Sequence, residues 1–116
     1  MFRDAVQRNK CVSTLLGLSG KSDWCDAENG LNDRALFLLE RYRSNYAVPL
    51  STSELNIFLL ATGLIHSEVR VNIWYLLSRL DLRNLRVVRD LFTAICDSDS
   101  SEPIDAWLEK YRDKYR

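Results

Sequence analysis

The side chains able to do chemistry are few. The chain has one histidine, His66, and three cysteines, Cys11, Cys25 and Cys96. A zinc site draws on thiolates and imidazoles at short paired spacings, and neither C-x-x-C nor H-x-x-x-H occurs. Nucleophilic catalysis needs a thiol or hydroxyl beside a base that a third group orients. Cys25 with His66 is the one pairing to consider, and no motif brings the two together, so Cys25 reads as a small buried or half-buried thiol. The expectation is no metal, no cofactor and no enzymatic activity. An odd cysteine count, with no long apolar stretch near the start, points to reduced thiols in a cytoplasmic setting.

Two further segments suggest ligands and are explained more simply. Gly17-Leu18-Ser19-Gly20-Lys21-Ser22 shares its ending with a phosphate-cradling loop, but the first glycine stands too close to the Gly-Lys pair and no strand precedes it; a helix stop accounts for it. Asp97, Asp99, Glu102 and Asp105 gather acids, yet they lack the glycine and distal glutamate of a calcium loop. They fit a solvated linker whose acids favour a following helix N-terminus, with Lys110, Arg112, Lys114 and Arg116 at the opposite end. A second charged group is basic: Arg70, Arg79, Arg83, Arg86 and Arg89 fall close together.

The elements that must position these residues read as five or six helices. Apolar spacing predicts a first helix over residues 2–16, then a polar connector over 21–30. Asn29-Gly30 lies in that connector, with flanks too polar for a hairpin. A second helix follows an Asn32 or Asp33 cap and reaches Tyr46, and Pro49 closes it. Ser51 and Glu54 form a capping box opening a third, to Leu64. Ser67 can cap a fourth over 68–80, Asp81 a fifth over 82–96, and Ser101 with Pro103 a sixth. With no fixed repeat and no boundary, residues 1–116 form one all-α domain.

Three runs of five apolar residues, at 35–39, 57–61 and 73–77, carry the most information. Successive residues turn by about 100°, so such a run covers every side of its helix. A small bundle can enclose one helix of this kind, here the one over about 51–64, but not three. The surplus, Phe37, Val71, Trp74 and Tyr75, is expected in an interface. Arg70, Val71, Trp74, Tyr75, Arg79 and Arg83 form the candidate partner-binding surface, since Trp, Tyr and Arg are enriched where binding energy concentrates. The partner is expected to be another protein or a second copy of the chain.

The segment over 51–80, with its Ser51 cap, its turn at Gly63 and the stripe Val69, Ile73, Leu76 and Leu80, resembles a helix-turn-helix in outline. The resemblance implies that Ser67, Glu68, Arg70 and Asn72 face bases in the major groove, which makes a DNA-binding regulator the alternative. It departs from that pattern in its long apolar first helix, and in a helix where a wing is expected. Arg79-Leu80-Asp81-Leu82 is similar to the charged signature of death-effector domains, which are six-helix interaction modules. Composition bounds all of this. The chain has 116 residues with 16 basic against 16 acidic side chains, which suits one domain and no bulk electrostatic partner such as nucleic acid or an anionic membrane. Its longest apolar runs, of five residues, are too short to span a bilayer.

Overall fold

In the computed structural model, five helices open where a short polar side chain accepts from a backbone N–H of the first turn. The structure describes residues 1–97 and 99–115; Ser98 of the acidic linker and Arg116 of the basic end lie outside the described residues. Asp4 accepts from Gln7 N at 2.8 Å and starts α1 (Ala5–Gly17), later than Phe2 because Asp4 holds an extended backbone. Asn32 caps α2 (Asp33–Arg43) through Ala35 N at 2.9 Å. Ser51 and Glu54 close the predicted reciprocal box at the head of α3 (Thr52–Gly63), at 3.2 and 2.9 Å. Asp81 accepts from Asn84 N at 2.8 Å and starts α5 (Leu82–Cys96).

Helix ends follow equally local rules. Gly20, at φ +75°, takes the left-handed position after α1, and Lys21 N returns to Leu16 O at 3.0 Å. Asn45 does the same after α2 at φ +63°, with Tyr46 N bonded to Arg41 O at 2.9 Å. That stop cuts α2 three residues short of the expected Tyr46, which stands outside the helix with Arg41 over its ring.

Three expectations need correction. The connector contains a 3-10 turn (Ser22–Trp24) and a minimal antiparallel pair, β1 (Cys25–Asp26) with β2 (Gly30–Leu31), in the register Cys25↔Leu31 and Asp26↔Gly30. Polar flanks do not prevent this hairpin because a polar side chain builds it. The Asp26 carboxylate accepts from Glu28 N and Asn29 N, both at 3.0 Å, and Gly30 supplies φ +79°. The fourth helix, α4 (Ile73–Arg79), starts at an Asn72 cap rather than at Ser67. Residues 64–72 instead turn back on themselves: His66 N bonds Thr62 O, Val69 N bonds His66 O, and Glu68 pairs with Arg43. Ser101 precedes α6 (Glu102–Tyr111) but holds a helical backbone and gives no side-chain cap. It is claimed by the first helix, since its carbonyl accepts from Gln7 Nε2 at 3.1 Å.

The expected all-α architecture is present: six helices among the described residues form a small bundle, with α3 at its centre. Every residue of α3 from Asn56 to Thr62 is buried, which its apolar run requires of a fully enclosed helix. The first helix lies along it, α5 packs on α6, and the chain end returns to α1 through a 3-10 turn (Arg112–Tyr115). Gly17 permits that return, because a Cβ there would stand 2.0 Å from Tyr115 O. A polar tie joins the start of the chain to α6, where Arg3 Nη1 lies 2.8 Å from Asp105 Oδ2, and another joins α6 to α5, where Trp107 Nε1 donates to Val87 O at 3.0 Å.

Candidate partner-binding surface

The helix α4 holds the third apolar run and buries almost none of it. Only Leu76 is inside. Ile73, Tyr75 and Leu77 are about two-fifths exposed, and Trp74 is 79% exposed. Leu82, at the start of α5, adds a further exposed side chain. Exposed apolar area forgoes about 25 cal/mol per Å² relative to burial, and contiguous apolar patches are a feature of interaction surfaces. The reason is local. With Asn72 as cap, seven residues make barely two turns, and Leu76 and Leu80 are its buried anchors.

Of the six residues singled out by sequence, five are exposed. Val71 is the exception, half-buried and packed against the core from the segment before α4. Trp74, Tyr75 and Arg79 share α4, and the Arg79 guanidinium lies 4.9 Å from the Tyr75 ring centre. Arg83 is the second residue of α5, and its Nε donates to Tyr115 Oη at 3.2 Å. Among the described residues, Arg70, Arg79, Arg83 and Arg86 form no ion pair, whereas Arg89 is taken by Asp90 at 2.8 Å. Among the described residues these four cations therefore stand without an ion pair, on a chain whose formal net charge is zero.

The residues of the helix-turn-helix outline fall elsewhere. Ser67, Glu68 and Arg70 belong to the link before α4, and Asn72 is its cap, so no helix presents the four together. Glu68 is engaged by Arg43 and lies 3.7 Å from His66 Nδ1. A second exposed apolar group on α2, Leu36 and Phe37, was only partly legible from the run that contains it; Arg41 covers the Phe37 ring at 5.8 Å.

Thiol and carboxylate chemistry is muted. Burial pushes the Cys11 thiol up to about 12. Cys25 rises to about 11 through burial first and Asp26 second, and its Sγ faces the Asn9 carbonyl at 3.6 Å rather than His66. Neither is a thiolate at neutral pH. Cys96 is exposed at the end of α5. The acidic stretch is partly structural: the hydrogen bond from Arg3 holds Asp105 below the usual carboxylate range. Between α5 and α6, Asp90 is lowered and Tyr111 raised by their mutual hydrogen bond of 2.5 Å, which fastens the two helices. Among the described residues, no group of three or more His, Cys, Asp or Glu side chains is placed to hold a metal ion, and no helix is long and apolar enough to cross a membrane. The chain matches no family model, no curated protein and no solved structure.

Proposed function

We propose that the protein is a small, non-enzymatic interaction module that binds a protein partner through the outward face of α4 and its arginine rim. The observation that carries this reading is Trp74, 79% exposed on a helix whose apolar run has one buried member. Arg79 on the same helix, with Arg70, Arg83 and Arg86 near it in sequence and without ion pairs among the described residues, favours a partner that surrounds an apolar centre with carboxylates. A second copy docking on the same face would have to set an acidic residue of this surface against each arginine, because a two-fold axis pairs residue i of one copy with residue j of the other.

A photo-crosslinking side chain at position 74, used in the native host, would identify the partner, whose affinity is then measured with purified components. Trp74→Ala is expected to weaken binding by about tenfold or more, as for a central aromatic anchor. Arg79→Glu is expected to slow association and flatten its salt dependence. Unchanged affinity in Trp74→Ala would remove the reading. A sequence-specific DNA gel shift lost in Arg70→Ala would replace it with the helix-turn-helix alternative.

A further inference from the structure

An open groove of about 420 Å³ runs between α2 and the segment that follows it. Arg34, Phe37 and Arg41 are spaced by three and then four residues, so one face of α2 carries all three. Val48 and Pro49 stand on the opposite side. Arg41 is held by three partners. Its Nε donates to Ala47 O at 3.1 Å, and its guanidinium lies 5.8 Å from the Phe37 ring centre and 5.2 Å from that of Tyr46. Its two Nη groups meet no acceptor among the described residues. Neither Arg34 nor Arg41 forms an ion pair among those residues, and no Asp or Glu is among the described residues lining the groove. These groups face solvent: Arg34 is exposed, Arg41 partly so, Phe37 55% and Tyr46 63%.

Charge and spacing narrow the occupant. A guanidinium already held in place gives up less freedom when its fork takes a carboxylate. Arg34 and Arg41, seven residues apart on a helix, are separated by about 10 Å along its axis, with Phe37 between them. A polyproline-II chain repeats every three residues at about 3.1 Å each, so acids three residues apart share one face at nearly that distance. Chains in this form also dock on grooves lined by aromatic rings, as Phe37 and Tyr46 line this side of the protein. We propose that the groove binds an extended acidic segment of a protein partner, with carboxylates three residues apart on Arg34 and Arg41 and an intervening proline or aliphatic side chain on Phe37. A nucleic-acid strand would also offer anions, but a chain of zero formal net charge gives it no long-range attraction. The groove shares no residue with the α4 surface, so the two stand or fall separately.

The test selects phage-displayed random dodecapeptides on the full chain, then measures the enriched peptides by fluorescence anisotropy. Enriched sequences are expected to carry two acids three residues apart with a proline or aliphatic residue between them. Arg41→Gln should weaken such a peptide about tenfold or more, and replacing either acid by its amide should do the same. Affinity should also fall as salt is raised. Trp74→Ala should leave the peptide's affinity unchanged, which separates this groove from α4. If Arg41→Gln does not fold, Arg34→Glu, on an exposed position, is expected to give a comparable loss. The proposal is overturned if selection yields no paired acids, or if the peptides bind a folded Arg41→Gln or Arg34→Glu protein undiminished. It is equally overturned if Trp74→Ala abolishes their binding, or if an oligothymidylate binds the groove more tightly than any selected peptide.

Discussion

The third and fourth helices begin from nearly the same material and reach opposite ends. Each contains five consecutive apolar residues, Ile57-Phe58-Leu59-Leu60-Ala61 in α3 and Ile73-Trp74-Tyr75-Leu76-Leu77 in α4. In α3 all five are buried; in α4 one is. Apolar content alone therefore does not say which helix becomes the core. Length and neighbours do. α3 has twelve residues anchored by a capping box and covered on several sides, whereas α4 has seven, shortened by the turn that takes Glu68 to Arg43. One run holds the domain together and the other is left available for a partner.

The largest expected contrast is in stability. Phe58→Ala, which empties the site of a side chain 1% exposed and edge-on to Trp24, is expected to cost about 3–5 kcal/mol in urea unfolding. A cost below about 1 kcal/mol would mean that α3 is not the centre. Leu76→Ala should follow at about 2–4 kcal/mol, because it removes the fully buried anchor of α4. Hydrogen exchange sharpens the point: amides of α4 are expected to open locally, well before those of α3. If both helices exchange together, α4 is an integral layer of the core.

Next comes the head of α3. Lys21 Nζ lies 2.6 Å from Glu54 Oε2, and this bond, followed by those to Ser51, lowers the Glu54 carboxyl from 4.5 to about 2. A folded-state pKa below the unfolded one gives stability that is present above about 4.5 and lost as pH falls towards about 2. Glu54→Gln should flatten that part of the pH–stability curve, modestly, because the pair is partly solvated. Ser51→Ala is expected to cost about 1 kcal/mol at neutral pH. The smallest effect belongs to α4's surface. Trp74→Ala should change unfolding stability by less than about 0.5 kcal/mol while weakening partner binding, and a larger loss of stability would place Trp74 in the packing rather than in an interface.

Much of this was legible in the residue order. Ser51 with Glu54, Asp81, and Gly20 act within a turn of themselves, so their roles as caps and stop survive any tertiary arrangement. The start of α4 was not legible. Ser67 has the right chemistry for a cap, but Arg43, distant in sequence, draws Glu68 away and leaves Asn72 to begin the helix. The hairpin was missed for a related reason, because its strands are held by the Asp26 side chain rather than by alternating apolar residues. A cavity between α1, the hairpin, α2 and the segment after α3 has no sequence signal at all, since its walls come from four separate segments.

The sequence by itself determined the class: five or six helices with most of their ends marked, an enclosed third helix, and more apolar helix surface than one small core can cover. Those are consequences of periodicity and of hydrogen bonds closed within a few residues. Only the tertiary structure decided which surplus stayed outside. Burial depends on what other segments supply, and here α1 covers α3 while α4 keeps Trp74 in solvent. The same dependence left Arg70, Arg79, Arg83 and Arg86 without ion pairs among the described residues of a neutral chain, while acids such as Asp105 and Glu68 pair elsewhere, with Arg3 and Arg43.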